Sequence, residues 1–375
     1  FTLMKVGILG GGQLGRMMLQ EAPNYPVETW VMEKDADCPS AHLCHHFVLG
    51  DIRDFDAVYA FGQLVDALTI EIENVNIEAL EKLESEGKRI IPKPSALRTI
   101  KNKILQKEYY LKNNIPSPAF LITQDREDLK KHVAFLPAVH KLGMGGYDGK
   151  GVQILKSVDD LDNGFNAPSV LEKMVDIHKE IAITVAISEN GSHVIYPPVE
   201  MIFDPYLNLL DFQLCPADIA EKAIWKAEAL ALSVARNFGS AGIFAIEMFV
   251  DGNSDVFVNE TAPRVHNSGH HTIEAHFSSQ FDMLWRILLN YPLGGTAMIM
   301  PSMMVNILGA DGFTGEAKYE GMDEILKMEN AFVHLYGKKL TAPGRKMGHV
   351  TIIDKDKTNL MRKAAIIKQT LRVIS

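Results

Sequence analysis

The stretch from Ala241 to His270, AGIFAIEMFVDGNSDVFVNETAPRVHNSGH, constrains this chain more than any other. Ile243 to Val250 is apolar and β-branched, broken by one acid, Glu247. Asp251-Gly252-Asn253-Ser254-Asp255 is turn chemistry, and Val256-Phe257-Val258 resumes the strand pattern. The pattern predicts a β-hairpin. With a symmetric turn, Val250 pairs with Phe257 and Glu247 lies opposite Glu260. Directly paired residues share a face, with Cβ atoms about 5 Å apart. Two carboxylates there repel, and burying them is costly unless a positive charge sits between them. A hard divalent cation, with oxygen ligands at about 2.0–2.1 Å, fits that gap. The plain alternative is a pair of solvated acids on the wet face of an edge hairpin. The apolar surroundings of Glu247, and Asn259, Arg264, His266, Asn267 and His270 at one rim, favour a metal–phosphate site.

With 375 residues the chain can bury two or three cores. A net charge of −9 leaves no basic surplus for binding nucleic acid. No apolar run approaches a membrane span of about 18 residues. Met4 is expected to be the natural start, with no signal-peptide layout before the first strand. Cys38, Cys44 and Cys215 suggest a reducing, cytoplasmic compartment. Cys38 and Cys44 sit among His42, His45 and His46, but no CxxC pair accompanies them, so an ordinary loop is expected there.

Lys5–Leu9 reads as a strand running into Gly10-Gly11-Gly12-Gln13-Leu14-Gly15, with a helix over Arg16–Ala22. The spacing matches the dinucleotide fingerprint, and a second strand, Glu28–Glu33, ends in an acid as that fingerprint asks. A glycine turn before a helix suits any phosphate, so an NAD-dependent oxidoreductase is only one reading. Ala67–Ile70 is a buried strand that delivers Glu71, Glu73 and Asn74 to its C-terminal end, where open α/β sheets bind ligands. A helix follows over Ile77–Glu86, and another over Lys101–Lys112 after the break at Pro92-Lys93-Pro94-Ser95.

A second glycine-rich loop, Gly143-Met144-Gly145-Gly146-Tyr147-Asp148-Gly149-Lys150-Gly151, lies between the strands Ala138–His140 and Val152–Leu155. It fails the Walker A spacing, but its free N–H groups and Lys150 can fold over a polyphosphate, with Lys141 reaching in from the preceding strand. Val170–Val175 is a strand carrying Glu172, and Glu180 follows in a strand over Lys179–Ile187. Such acids can accept a hydrogen bond from a ribose hydroxyl. Val194–Val199 reads as one strand and Ala220–Phe238 as a long helix. The basic turn from Tyr336 to Val350, with Lys338, Arg345 and Lys346, reads as a clamp for an anionic substrate or as a solvated loop tip.

In this order GGGQLGRM, TIEIENV, GGYDGKG, EKMV, IEMFV, VNETAPRVHNSGH and PGRKMGHV resemble the ATP-grasp superfamily. Within it they are similar to the 5-(carboxyamino)imidazole ribonucleotide synthases, the ATPase subunits of phosphoribosylaminoimidazole carboxylase. The resemblance implies an α/β and α+β chain with three parts. These are a Rossmann-like parallel-sheet domain over 1–100, a central lid over 101–190, and a C-terminal ATP-grasp domain with metal site and clamp over 191–375. It implies ATP bound by Lys103, Lys141, the loop Gly145–Gly151, Glu172, Lys173, Met174, Val175, Glu180, Asn259 and Glu260. Mg2+ would lie between Glu247 and Glu260. Gln13, Leu14, Glu73, Asn74, Tyr147, Lys150, Lys338, Arg345 and Lys346 would face 5-aminoimidazole ribonucleotide. Arg264, His266 and Asn267, with Lys346, would act on bicarbonate or the carboxyphosphate made from it. A cytoplasmic homodimer is implied. The chain departs from the family pattern at Lys103, Met201, Phe203, Ala342 and Glu33-Lys34-Asp35. The remaining alternatives are another ATP-grasp carboxylate–amine ligase, the NAD-dependent oxidoreductase, and a nucleotide-sensing protein without turnover.

Overall fold

The computed structural model describes residues 2–146, 150–203 and 210–375. Its first unit is a parallel sheet in the order His46–Leu49, Val27–Glu33, Met4–Leu9, Ala67–Ile70, Arg89–Ile90. Parallel strands need helical crossovers and are buried on both faces. Val6, Ile8 and Val31 accordingly pack with Leu14, Met17 and Met18 of the helix Gln13–Glu21, and with Trp285 from far along the chain. Leu9, Met32 and Leu68 pack with Phe61, Leu80 and Leu83. The first helix starts at Gln13, directly after Gly12, three residues earlier than the sequence pattern suggests.

The basic helix expected over Lys101–Lys112 runs over Lys103–Lys112, and Lys101 ends a separate helix, Pro94–Lys101. Asn102 divides them. Its backbone is extended, and its side chain caps the second helix by accepting from the N–H groups of Ile104 and Leu105. That break makes Lys103 the first residue of a helix.

Phe120–Thr123, Ser169–Lys173, Ala138–Leu142 and Val152–Leu155 form a second, antiparallel sheet in that order. The largest sheet runs Val256–Ala262, Gly242–Asp251, Ile177–Ile187, Val199–Phe203, Leu210–Cys215, Ser302–Leu308, Lys346–Ile353, Ala331–Leu335, with His193–Ile195 also paired to Ile177–Ile187. The single strand expected over Val194–Val199 is therefore two strands. Pro197 and Pro198 lie between them and cannot donate to a ladder. Helix Glu221–Asn237 closes one face of this sheet through Ala223, Ala227, Ala231 and Ala235, whose small side chains let it approach closely.

In the hairpin, the symmetric pairing of Val250 with Phe257 is corrected: Val250 pairs with Val256, Phe249 with Phe257 and Met248 with Val258. The turn accounts for the shift. Asp251 Oδ1 accepts from the N–H groups of Asn253 and Asp255 and tightens a five-residue loop. Asn259 then bulges out of the ladder, and Glu247 stands opposite Glu260 after all. The bulge supplies the missing residue.

Candidate active site

A cavity of about 820 Å3 is lined by the parallel sheet, the second sheet and the largest sheet, with their loops. The parallel sheet contributes Gly12, Gln13, Leu14, Glu73 and Asn74, and the second sheet Gly145, Gly146 and Lys150. The large sheet and its connections contribute Glu180, Glu247, Asn259, Glu260, Arg264, His266, Asn267 and Lys346.

The acid pair sits unevenly between its neighbours. Lys103, brought to the cavity by the helix break at Asn102, forms an ion pair with Glu260. Burial works against the Glu260 carboxylate, but the Lys103 charge and hydrogen bond outweigh it and hold the group below its ordinary value. Glu247 faces the imidazole of His266, with Nε2 at 3.7 Å from Oε1, and the Lys103 and Lys141 charges act on it from further off. Burial first, then the Glu260 and Glu180 charges, push its carboxyl up.

His266 is neutral at ordinary pH. Burial, followed by the charges of Arg264 and Lys346, brings it down to about 3. Its Nδ1 accepts from the Ser268 backbone N–H at 3.2 Å, so the ring proton resides on Nε2, which faces Glu247. Arg264 Nε lies 3.0 Å from Glu73 Oε1. Glu73 Oε2 is buried without a hydrogen-bond partner among the described residues, an unused acceptor at the cavity wall.

Behind this wall lies a second charged group. Glu172 Oε2 is 2.9 Å from Lys141 Nζ, and Glu172 Oε1 is 3.4 Å from Lys107 Nζ. Lys141 also donates to Asn259 Oδ1 at 2.8 Å. Burial brings Lys107 down to about 8 despite the opposing Glu172 charge.

The structure places several of the expected residues away from the cavity wall. Glu172 is buried and taken up by two ammonium groups, so it positions Lys141 rather than lining the cavity. Lys173 turns its ammonium away to the Phe135 carbonyl. Met174 and Val175 follow the end of their strand, since Ser169–Lys173 stops short of them, and neither lines the cavity. Gly151, Lys338 and Arg345 are also outside its wall. Lys338 donates to the Lys346 carbonyl at 2.7 Å and Arg345 to the Leu340 carbonyl at 2.7 Å. Tyr147, Asp148 and Gly149 lie outside the described residues.

The dinucleotide fingerprint has a different use from the one its spacing suggests. Glu71 is buried beneath the turn, with the Gly12 and Gly15 backbones hydrogen-bonded to its carboxylate. A Cβ on Gly12 would meet Glu71 Oε1 at 2.5 Å. Gly11 donates to Glu33 Oε2 at 3.1 Å, so the acid expected to hold a ribose is engaged with the turn itself. These N–H groups hold carboxylates of the chain, and the NAD reading loses its phosphate seat.

The sequence reading missed the cavity's apolar wall, made by Ile100, Val152, Met201, Phe203, Met248 and Phe249, and the polar Gln213 beside it. Met201 and Phe203 stood out only as departures from a family pattern. Their pairing with Ile177–Ile187 and Leu210–Cys215 is what directs them here.

Residues 3–101 match a ribonucleotide synthetase preATP-grasp domain, 108–281 an ATP-grasp domain, and 302–363 a phosphoribosylaminoimidazole carboxylase C-terminal domain. N5-carboxyaminoimidazole ribonucleotide synthetase from Thermotoga maritima superposes with a TM-score of 0.92 at 38% identity, over 100% of each chain. N5-carboxyaminoimidazole synthase from Aspergillus clavatus, in complex with ADP and 5-aminoimidazole ribonucleotide, gives 0.89 at 30% identity over 98% of each chain. Chloroplastic phosphoribosylaminoimidazole carboxylase of Vigna aconitifolia is 34% identical across 96% of this chain, which spans 66% of that protein's length. By sequence and by fold, the chain belongs to the N5-carboxyaminoimidazole ribonucleotide synthase family of ATP-grasp enzymes.

Proposed function

We propose that the chain uses ATP and bicarbonate to carboxylate the exocyclic amine of 5-aminoimidazole ribonucleotide, a step of purine biosynthesis. The observation that carries this is one cavity holding an acid pair with a single cationic partner beside Arg264, neutral His266 and Lys346. The acid pair suits Mg-nucleotide, and the cationic rim suits a small carbonate-derived anion.

The donor set fits Mg2+. Glu247 and Glu260 face each other across a strand pair, and only Glu260 has a lysine. Bound there, Mg2+ would supply charge stabilisation to the transferring phosphoryl group. Lys103 and Lys150, with the backbone of Gly145 and Gly146, hold the phosphates, and Lys141 adds its charge from just behind the wall beside Asn259. The apolar wall at Met201, Phe203 and Phe249 takes the flat base, and Glu180 the ribose.

A bicarbonate oxygen attacks the γ-phosphorus, the bond to the ADP oxygen breaks, and carboxyphosphate forms. Arg264 and Asn267 orient the bicarbonate, and His266 donates from Nε2–H to its oxygen. The ribonucleotide amine then attacks the carboxyl carbon of carboxyphosphate or of CO2 released from it, phosphate departs, and the amine loses a proton. Gln13, Leu14, Asn74 and Lys346 hold the ribonucleotide, and Glu73 Oε2 accepts from the amine. Exclusion of water from the cavity protects the intermediate. We further propose a cytoplasmic homodimer. The free state of Cys38, Cys44 and Cys215 suits a reducing compartment.

Glu260→Gln tests the metal role. Turnover is expected to be abolished while the chain still folds, as judged by a cooperative melting transition. Parent-like turnover removes Glu260 from the metal site.

A further inference from the structure

Behind the active-site cavity, on the far side of the segment carrying Asn267 and His270, three soft-metal donors converge. Cys215 ends the strand Leu210–Cys215, His271 precedes the short helix Thr272–Ala275, and His276 follows it. One donor atom from each lies within 4.8 Å of the others. All three residues are buried, at 1 to 2% exposure.

Their hydrogen bonding leaves the donor atoms available. His276 Nδ1 is 2.8 Å from the Thr296 carbonyl, which fixes the proton there and leaves the Nε2 lone pair directed at Cys215 Sγ, 3.8 Å away. Histidine ligands of metals are commonly held by such a backbone carbonyl. Both ring nitrogens of His271 are buried, and the Ser268 backbone beside the ring can engage only one of them, which leaves the other for a ligand. Met298 Sδ lies 3.8 Å from Cys215 Sγ and closes the fourth side.

We propose that Cys215, His271 and His276 bind one thiophilic d10 ion, Zn2+ or Cu+, with Met298 as neighbour or fourth ligand. Bonds of about 2.3 Å to sulfur and about 2.0–2.1 Å to nitrogen place tetrahedral ligand atoms about 3.3–3.6 Å apart. Cys215 and His276, 3.8 Å apart, are already close to that spacing, and the 4.8 Å limit on the three donor atoms puts His271 within a small rotation of the same geometry. Zn2+ uses the thiolate and two imidazoles, while the Met298 thioether favours Cu+. Binding sends one proton, from the Cys215 thiol, to the buffer. The ion ties strand Leu210–Cys215 to the turn that presents His270 to the cavity.

The test is metal titration of the intact chain with Co2+ as a spectroscopic stand-in for Zn2+, and with Cu+ under anaerobic conditions. One Co2+ per chain with a thiolate-to-cobalt charge-transfer band is expected. The band is expected to vanish in Cys215→Ser and His276→Gln and to survive in Cys38→Ser. Co2+ at Glu247 and Glu260 gives no such band, which separates the two sites. X-ray absorption of the zinc-loaded parent chain, which needs no variant, is expected to show sulfur and two imidazoles around zinc. Tighter binding of Cu+ than of Zn2+, with two sulfur neighbours, assigns the site to copper. An all-oxygen shell, no band in the folded parent chain, or a band that survives Cys215→Ser overturns the proposal.

Discussion

Glu172 holds two ammonium groups, Lys141 and Lys107, with almost no solvent access to the lysine–carboxylate pair at Lys107. Removing one partner of a buried ion pair leaves an uncompensated charge, at a cost of about 3–5 kcal/mol. Glu172→Ala is therefore expected to lose that much stability in urea unfolding, with Glu172→Gln losing less. A loss under about 1 kcal/mol contradicts the arrangement. Glu247 makes a different statement. Its raised carboxyl contributes stability to the metal-free fold below the ordinary carboxylate range, and that contribution is lost as pH rises through the raised value. Metal binding needs the ionised form and expels the proton. The thermal shift produced by Mg2+ is expected to shrink from mildly alkaline to mildly acidic buffer, and to disappear in Glu247→Gln. A shift of equal size across that range contradicts it.

The bulge at Asn259 is the device that makes the hairpin useful. In a regular ladder successive side chains point to opposite faces, whereas a bulge re-aims one of them. Asn259 and Glu260 both line the cavity, one holding Lys141 and the other paired with Lys103. Deleting Asn259 leaves Glu260 able to pair with Glu247 but removes the Lys141 tether. ATP is then expected to bind about tenfold more weakly, or about 1.4 kcal/mol, with the fold retained. Unchanged ATP affinity by calorimetry would sink this role. The pairing of the two acids was legible because two departures from the sequence pattern cancel: the turn shifts the register by one and the bulge shifts it back. Neither was legible alone. The turn depends on Asp251 Oδ1 bonding two backbone N–H groups, and the bulge on contacts with Lys141, more than one hundred residues away. The helix break at Asn102 was missed for a related reason. Asn is tolerated in helices, and only its capping bonds to Ile104 and Leu105 end one helix and start the next.

Across the molecule, most strands of the parallel sheet were readable because burial on both faces writes continuous apolar runs, such as Val6–Leu9 and Ala67–Ile70. The nine-stranded sheet was not. Its neighbours come from far apart in the chain, as with Leu210–Cys215 beside Ser302–Leu308, and periodicity carries no information about partners. The cavity divides the same way. Its charged residues appear in short motifs, while Met201, Phe203 and Gln213 arrive only through strand pairing. Glu71 shows the opposite failure, a clear motif whose glycines turn out to hold the chain's own carboxylate. Three sheets meet at one cavity, and the proposed reaction requires ATP, bicarbonate and ribonucleotide to occupy it together. The most direct measurement is ADP release from Mg-ATP with bicarbonate, with and without 5-aminoimidazole ribonucleotide. Strong stimulation by the ribonucleotide, lost when bicarbonate is removed, is expected. ATP binding with no stimulation, or stimulation that is indifferent to bicarbonate, would contradict the carboxylation chemistry and point to a different amine or acid as substrate.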